Sequence, residues 1–444
     1  MFASKSMQRG VTAYFSIFFV LFQILGVTAA IAADSAIGLS LENAGITPKA
    51  SFVGEFAANP SGGIHQGETF VGQISGGLDF DMSRLADIPG GTFHINMADR
   101  FGRDLSKDDI GNSIDVQELF GGGMNPRLAE FSWEQDLFAG KVNIKAGRVD
   151  ATPDFVAFSS IGCSFQTNAT CPVPKLIGRD SNAPIWPDAT WGGRVRVWAS
   201  DSVYIQVGAY DVDPLQGSHT QNGTDWQTGG STGTFVPFEL GYATSFKNDS
   251  MPRHYKLGGY YDGADYTDPS RDSSGALAAA TGKPYATLNG RSGLYGWADQ
   301  MIWRPDLTSE KGLTIFGSLL AATSGRNSES FGLETGAILK GTFPGRDADT
   351  AGFVITDQHL SSGAMDNLRL LRTHAGGTEA LAADEVIIEV NYGIAVLPGL
   401  SVMPNLQYII NPDALNTPSR TTNIPNTFVV GLKFVSDFPK LFGL

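Results

Sequence analysis

Apolar and polar residues alternate along much of the chain. The segment VYIQVGAY at 203–210 places its aliphatic residues at odd positions and its tyrosines and glutamine at even positions. Residues 191–198 repeat the pattern, with Val195 and Val197 opposite Arg194 and Arg196. Because neighbouring side chains of a β-strand point to opposite faces, this period of two predicts strands whose faces meet two different environments.

The same pattern predicts sixteen strands and little helix, apart from a short helix within 106–120. The predicted strands are 50–57, 69–80, 91–100, 128–135, 141–148, 191–198, 203–210, 237–246, 254–262, 293–303, 312–322, 332–343, 351–359, 384–397, 400–410 and 426–436.

The connections between these strands alternate in length. Short turns are predicted at 136–140, 199–202, 247–253, 304–311, 344–350 and 398–399, and long loops at 101–127, 149–190, 211–236, 263–292, 360–383 and 411–425. A longer turn at 81–90 and a brief loop at 323–331 depart from the alternation. Short turns on one rim, long loops on the other and an even strand number are typical of a bacterial outer-membrane barrel.

A secreted soluble β-sandwich or β-helix is the alternative interpretation. It gives no reason for connection length to alternate, nor for aromatic residues near predicted strand ends such as Phe80, Phe246, Trp303 and Phe343. The pattern therefore favours an all-β fold: a transmembrane antiparallel β-barrel of about 16 strands, with long extracellular loops and short periplasmic turns.

The N-terminus has the order of a secretory signal peptide. Lys5 and Arg9 precede an apolar run over 11–33 that ends in small residues. An uncleaved membrane anchor is the alternative, since the run is long enough to span a bilayer. We predict that 1–33 is cleaved and that 34–444, which no linker or charge block divides, forms one outer-membrane barrel domain.

Composition narrows the partners. The 54 glycines and 28 phenylalanines suit turns and membrane interfaces. A mean hydropathy of −0.05 fits strands with lipid on one face and water on the other. The formal net charge of −14 disfavours nucleic acid. Outer-membrane lipid and small permeants are the predicted partners, no cofactor or metal is indicated, and monomer and homotrimer are both compatible with the sequence.

Sixteen strands enclose an aqueous lumen, so inward-facing polar residues should set what passes. Both signs of charge and several amides alternate with apolar positions, and such mixed groups suit sugar hydroxyls better than ions. A plain role in wall hydration is the alternative for each residue. The predicted pore-lining residues are Glu130, Glu134, Asn143, Lys145, Arg194, Arg196, Glu389 and Gln407.

The 149–190 loop is a candidate constriction loop. It is long and rich in aromatic residues, which favours folding into the lumen over exposure to open water. Packing over the mouth or against a neighbouring subunit is the alternative. The residues expected to form the constriction are Phe158, Phe165, Lys175, Arg179 and Trp186.

The remaining sequence features are a pair of cysteines and a scarcity of catalytic motifs. Cys163 and Cys171 lie eight residues apart in this loop, which predicts a local disulfide in an oxidising periplasm; a metal pair is the weaker alternative. No Gly-x-Ser-x-Gly elbow at a strand-to-helix turn, no His-Glu-x-x-His and no phosphate-loop motif occurs, so we predict that the chain is not an enzyme.

In the order of its motifs the chain resembles the carbohydrate-selective porins, the OprB-like family. The matching stretches include EFAANPSGG at 55–63, RLAEFSWEQ at 127–135, the loop with Cys163 and Cys171, WPDATWGG at 186–193 and PNLQYIINP at 404–412. The chain departs from many outer-membrane barrels by ending in Phe442-Gly443-Leu444, so Phe434 or Phe438 should close the barrel ahead of a short tail.

The resemblance implies a sixteen-stranded barrel through which mono- and disaccharides, above all glucose-like sugars, diffuse down their gradient into the periplasm. It also implies arginines and acidic residues at the constriction, for which Arg194, Arg196 and Glu130 are the matching candidates. A general porin without sugar selectivity and an outer-membrane barrel enzyme are the alternative functions.

Overall fold

The computed structural model describes residues 36–152, 154–155, 161, 163–171 and 173–444. The predicted signal peptide at 1–33 lies outside them. Within them, sixteen strands form one closed sheet in which every strand pairs antiparallel with its neighbours in the chain and the first pairs with the last. The predicted fold class is confirmed.

The strands are β1 (Ile46–Ser61), β2 (Glu68–Asp81), β3 (Gly91–Gly102), β4 (Arg127–Leu137), β5 (Val142–Val149), β6 (Thr190–Trp198), β7 (Val203–Val212), β8 (Gly233–Ala243), β9 (Arg253–Asp272), β10 (Tyr285–Trp303), β11 (Gly312–Ser324), β12 (Glu329–Lys340), β13 (Thr350–Leu360), β14 (Asp384–Leu397), β15 (Leu400–Ile410) and β16 (Thr427–Asp437).

Short helices lie in the connections between the strands of the described barrel, before β1 and after β16. They are α1 (Ala36–Asn43), α2 (Met82–Ala86), α3 (Lys175–Asp180), α4 (Ala278–Thr281), α5 (Ser362–His374) and α6 (Phe438–Phe442), with a π-helical turn at Ser106–Ile110 and a 3₁₀ turn at Gly122–Met124. In the described part of the chain no helix has the length and apolar character needed to cross a membrane.

The barrel has an apolar outside and a polar inside. In β7, Ile205 is 58 % exposed and Val207 is 50 % exposed, whereas Tyr204 and Gln206 between them are buried. Glu239 on the neighbouring strand β8 has no exposed surface at all. This inversion of the soluble pattern is what a strand needs when one face meets lipid and the other the lumen.

Eight connections, which include all the longest ones, emerge at one rim. We name them L1 (62–67), L2 (103–126), L3 (150–189), L4 (213–232), L5 (273–284), L6 (325–328), L7 (361–383) and L8 (411–426). The turns between the other strand ends lie at the opposite rim, together with α1 and α6. The two connections that break the length alternation still fall on the expected rims: 82–90 joins β2 to β3 as a turn, and 325–328 is a loop.

The outer hairpin of β9 and β10 is longer than the sequence suggested. Both strands extend into the segment predicted as a long loop at 263–292, and L5 spans only 273–284. Alternation continues in β9 with buried Asp262, Asp268 and Asp272, which accept hydrogen bonds from Arg291 of β10, Arg326 of L6 and Thr281 of α4, respectively. The alternation of apolar residues does not predict this part of the strand, because acidic residues and Pro269 occupy it.

The C-terminus closes the barrel before a helical tail. Phe434 of β16 lies opposite Gly54 of β1 and Val402 of β15. Asp437 caps α6 by accepting the Lys440 N–H at 3.2 Å. Of the two aromatic residues considered for closure, Phe434 is therefore within the ladder, while Phe438 begins α6.

Candidate functional site

Loop L3 enters the lumen and is bound to one side of the barrel by polar contacts. The Glu389 carboxylate of β14 accepts the N–H groups of Gln166, at 3.0 and 3.1 Å, and of Thr167, at 2.8 Å. The Asn391 side chain donates to the Ser164 carbonyl at 2.9 Å. Together with the Asn391 amide, which donates to Glu389 at 3.1 Å, backbone donors of the loop satisfy this fully buried carboxylate.

The other side of L3 is apolar. Phe165 packs on Phe316 of β11 with ring centroids 5.7 Å apart, and Phe155 packs edge-on against Tyr210 of β7 at 6.4 Å. The loop and the inner face of β7–β13 thus share one apolar cluster, whose loop members include Phe155, Phe165, Val173, Leu176 and Ile177. L3 is held from both sides and lies across the lumen.

Helix α3 ties L3 to the rim. The Asp180 carboxylate accepts the N–H groups of Ser328 and Glu329, both at 2.8 Å. The Arg179 guanidinium contacts the Glu329 carboxylate and donates to the Ser113 hydroxyl of L2 at 2.6 Å. Arg179 therefore links L3, L2 and the barrel, and its charge is compensated within this contact.

Loop L2 folds inward beside L3. The Gln407 side chain of β15 donates to the Val116 carbonyl at 3.0 Å, and the Gln117 side chain donates to the Glu55 carbonyl at 2.7 Å. L2 and L3 are joined directly by an ion pair between Lys175 and Asp115 at 2.9 Å. Apolar contacts with the barrel involve Leu105, Ile110, Ile114, Ile387, Ile409 and Val429.

Lys433 of β16 is the centre of this attachment. Its ammonium group lies 2.9 Å from Glu118 of L2 and 3.2 Å from Glu55 of β1. It also donates to the carbonyls of Phe165 at 3.0 Å and Cys163 at 3.4 Å. One buried cation therefore holds two loops and two strands. We refer to the inner face of β14–β16 and β1 as the anchoring wall.

The inner face of β2–β6, which we call the open wall, is covered less completely. Lys145 pairs with Glu130 at 2.6 Å, and their side chains keep 15 % and 12 % of their exposure. Arg194 pairs with Glu134 at 3.0 Å, and Glu134 keeps 26 %. Glu130, Lys145 and Glu134 are thus partly exposed charges on this wall, whereas the Arg194 side chain keeps only 4 % of its exposure.

Asp154 brings L3 to the open wall. Its carboxylate accepts from Arg194 Nε at 2.8 Å and from Arg196 Nη2 at 3.1 Å. The Asn143 side-chain oxygen accepts from Arg194, and Gln206 accepts from Arg196 Nε at 2.7 Å. Both guanidiniums are thereby fixed in position, which favours recognition by preset donors.

The alternation of charges continues towards the short-turn rim. The His94 ring on β3 lies 3.3 Å from Glu134 and 2.7 Å from Asp79 of β2. Asp79 pairs in turn with Lys49 of β1 at 2.6 Å. From Arg196 down to Lys49, acidic groups therefore alternate with basic or imidazole groups along the open wall.

Arg100 on β3 is a lumen residue that the sequence argument missed. Its Nε donates to the Gln73 side-chain oxygen at 2.8 Å, and the Trp186 indole N–H of L3 donates to the same oxygen at 3.2 Å. Among the described residues the terminal amino groups of Arg100 have no hydrogen-bond acceptor. The signal was present: continued alternation places Arg100 on the same face as His94 and Asn96.

Asp188 carries further charge on the same part of L3, close to Trp186. Its carboxylate contacts the Arg127 guanidinium. Burial raises the pKa of Asp188, although the nearby Arg127 charge favours its ionised form. Burial also raises the pKa of Asp150, at the start of L3, to about 8.

The predicted pore-lining residues fall into two groups. Six lie together on the open wall: Glu130, Glu134, Asn143, Lys145, Arg194 and Arg196. Glu389 and Gln407 also point inward, but they are 0 % and 1 % exposed beneath L3 and L2. This differs from the expectation, because the loops rather than lumen water take up their polar atoms.

The constriction-loop residues have equally different surroundings. Trp186 is part-exposed beside Gln73, whereas Phe165 lies in the apolar cluster. Lys175 and Arg179 are occupied by Asp115 and Glu329, so their role is attachment of the loop. Phe158 lies outside the described residues.

Cys163 and Cys171 are joined by a disulfide, with their Cα atoms 5.5 Å apart. Glu118 lies near both sulfurs. Sulfurs bonded to each other do not offer the thiolates that a metal would need, so this cluster is an unsuitable metal site.

Comparisons with known proteins are consistent along nearly the whole chain. The family model for the carbohydrate-selective porins, OprB family, matches residues 65–438. Porin B of Pseudomonas aeruginosa is 28 % identical over 404 residues, covering 88 % of this chain and 87 % of that protein. The putative porin QuiX of Acinetobacter baylyi is 24 % identical, covering 90 % of each chain. The high-pH structure of Pseudomonas putida OprB superposes with a TM-score of 0.82 at 27 % identity, covering 91 % of this chain and 96 % of that one.

Proposed function

The chain belongs to the carbohydrate-selective porin family, OprB family, of the bacterial outer membrane, and from this premise we propose that it conducts neutral mono- and disaccharides passively into the periplasm. The relatives are porins, that is, channels, and the proposal involves no chemical conversion of the permeant.

The observation that carries the proposal is the pairing of charges along the open wall. Lys145 with Glu130, Arg194 with Glu134 and Asp154, and Arg196 with Asp154 leave little uncompensated charge of either sign. A neutral molecule gains from the fixed donors and acceptors of such a surface, whereas a small ion gains little. Carboxylate, guanidinium and amide groups together match the donating and accepting capacity of hydroxyl groups.

Arg100 and Trp186 support sugar recognition at one level of the path. Arg100 is 5 % exposed and its amino groups have no acceptor among the described residues, so they could bind the hydroxyl oxygens of a sugar that reaches them; the adjacent indole offers an apolar surface. Each hydrogen bond would contribute about 1 kcal/mol net. A few of them would give millimolar binding, for which the total is about 4 kcal/mol. Such weak sites let a sugar pass without trapping it.

The test is sugar block of the ion current through single channels in planar bilayers. Strand geometry places Arg194 and Arg196 roughly 6.5–7 Å apart, near enough to contact one hexose together. We expect the double substitution Arg194→Ala with Arg196→Ala to weaken glucose block several-fold and to enlarge the open conductance. Arg369→Ala is the control, because among the described residues this exposed arginine on α5 forms an ion pair only with its neighbour Asp366.

Liposome swelling then tests selectivity. We expect glucose to enter faster than an amino acid of similar size. Equal rates for both, with unchanged glucose block in the double variant, would instead indicate a general diffusion porin. Faster entry of a sugar acid than of glucose would refute preference for neutral sugars.

A further inference from the structure

A group of polar atoms without partners lies behind L3, on the inner face of β11–β13. Ser318 of β11 and Glu334 of β12 are direct cross-strand neighbours, 5 % and 2 % exposed. Both carboxylate oxygens of Glu334 and the Ser318 hydroxyl are buried without a hydrogen-bond partner. Among the described residues, no ion pair involves Glu334.

A third residue reaches towards the same place. Gln358 of β13 is 2 % exposed, and its side-chain oxygen is also buried without a partner. Its amide lies over Gly332 of β12, with the oxygen 3.2 Å from the position that a Cβ there would occupy. Gly332 precedes Glu334 by two residues and so shares its face. The missing side chain at Gly332 therefore lets the Gln358 amide extend over the strand that carries Glu334.

We infer that these oxygens bind a monovalent cation. The unpartnered atoms are a carboxylate pair, a hydroxyl and an amide oxygen, which are the ligands that hard cations take. An ionised carboxylate buried without compensation would be strongly unfavourable. One carboxylate balances one positive charge, and a divalent ion would need further acidic ligands.

The site is connected to the position of L3. Phe316 and Leu320 flank Ser318 on β11, and both belong to the apolar cluster that receives the loop. Val354 of β13 belongs to it as well. The cation thus sits between the barrel and the loop that narrows the lumen, and its binding stabilises the barrel with L3 in place. This inference does not depend on what the channel conducts.

Crystals soaked in rubidium chloride test the site directly. We expect an anomalous peak within about 3 Å of the Glu334 carboxylate. The peak should be absent from Glu334→Gln, an isosteric change that keeps the fold. Absence of the peak from the unaltered protein would overturn the inference.

Thermal unfolding in detergent gives an independent readout. Replacing choline chloride by sodium chloride at constant ionic strength should raise Tm saturably, by roughly 1–2 °C at ten times Kd for a chain of this length. Glu334→Gln should lose the shift and Ser318→Ala should need more sodium to reach it. Glu68→Gln, at an exposed position, should behave like the unaltered protein. The same sodium shift in Glu334→Gln as in the unaltered protein would refute the site, as would no shift in either.

Discussion

Replacing Lys433 by methionine should release L2 and L3 without opening the barrel. The side chain is 2 % exposed, and its ammonium group is the shared partner of two carboxylates and two loop carbonyls. Methionine fills much of the same volume but supplies no charge. Glu55 and Glu118 would then lie close together with no cation between them.

The expected magnitude follows from the burial of this cluster. Removing one partner of a buried ion pair costs about 3–5 kcal/mol, because the remaining charge stays uncompensated. A loss of that size changes the equilibrium between docked and released loops by roughly two to four powers of ten. The sixteen-stranded ladder is untouched, so the cost should appear as loop motion before it appears as barrel unfolding.

Single-channel recording is the appropriate assay. We expect Lys433→Met to give frequent transitions to a higher conductance, whereas Lys340→Met should not. Lys340 forms a comparable pair with Glu310, but at 41 % and 60 % exposure of the two side chains. Exposed pairs of this kind contribute little.

Charge removal provides the decisive comparison. Adding Glu55→Gln and Glu118→Gln to Lys433→Met removes both uncompensated carboxylates. Transitions to the higher conductance should then become less frequent again, so that the current is less noisy. The reasoning is refuted if Lys433→Met is as quiet as Lys340→Met, or if the triple variant is noisier than the single one.

Three further predictions follow from the loops and rims. Reduction of the Cys163–Cys171 bond, or its replacement by two serines, should make the current noisier while the barrel stays folded; mass mapping of unreduced protein that finds free thiols would contradict the bond. Gly376 and Gly345 are matched sites for single cysteines, because both have a positive φ and open space around a Cβ. On intact cells an impermeant maleimide should label the cysteine at 376 and not the one at 345. Labelling only at 345 would show that the long loops face the periplasm. The pKa of Asp150 is about 8, well above that of an unfolded aspartate, so folding favours its protonated form and the associated stability is lost as pH rises from about 4 to about 8. The Tm of the unaltered protein should therefore include a decline over this pH range that the Tm of Asp150→Asn lacks. Parallel profiles of Tm against pH for the two proteins would contradict the assignment.

The barrel could be predicted from sequence because its strands obey a local rule. A residue two positions along a strand shares the same face, so Arg194 and Arg196 could be placed together from the pattern alone. Arg100 obeys the same rule at the last position of the predicted strand 91–100, but this charged residue at a strand end was left out of the predicted pore lining. The β9–β10 hairpin was cut short for a related reason, since its buried positions are filled by aspartates rather than apolar residues.

What covers an inward-facing residue could not be predicted in this way. Glu389 and Gln166 are far apart in the chain, and nothing near Glu389 indicates that loop N–H groups will reach it. The same applies to Lys433, whose partners come from β1, L2 and L3. These contacts depend on the path of two long loops through the lumen, and alternation along a strand carries no information about that path.

The two walls therefore use the same residue types for different purposes. On the anchoring wall, the polar groups of Glu389 and Lys433 are bound mainly by residues of the loops, so none is left to bind a permeant. On the open wall, Glu134 pairs with Arg194, and Arg196 pairs with Asp154. Glu134 and Arg196 nevertheless keep part of their side-chain surface exposed. L3 covers the polar groups of the anchoring wall, whereas it contacts the open wall mainly through Asp154 and Trp186 and leaves charged groups there partly exposed. Substitutions of acidic and basic residues should consequently separate by wall: those on the anchoring wall alter loop stability and current noise, and those on the open wall alter conductance and sugar block.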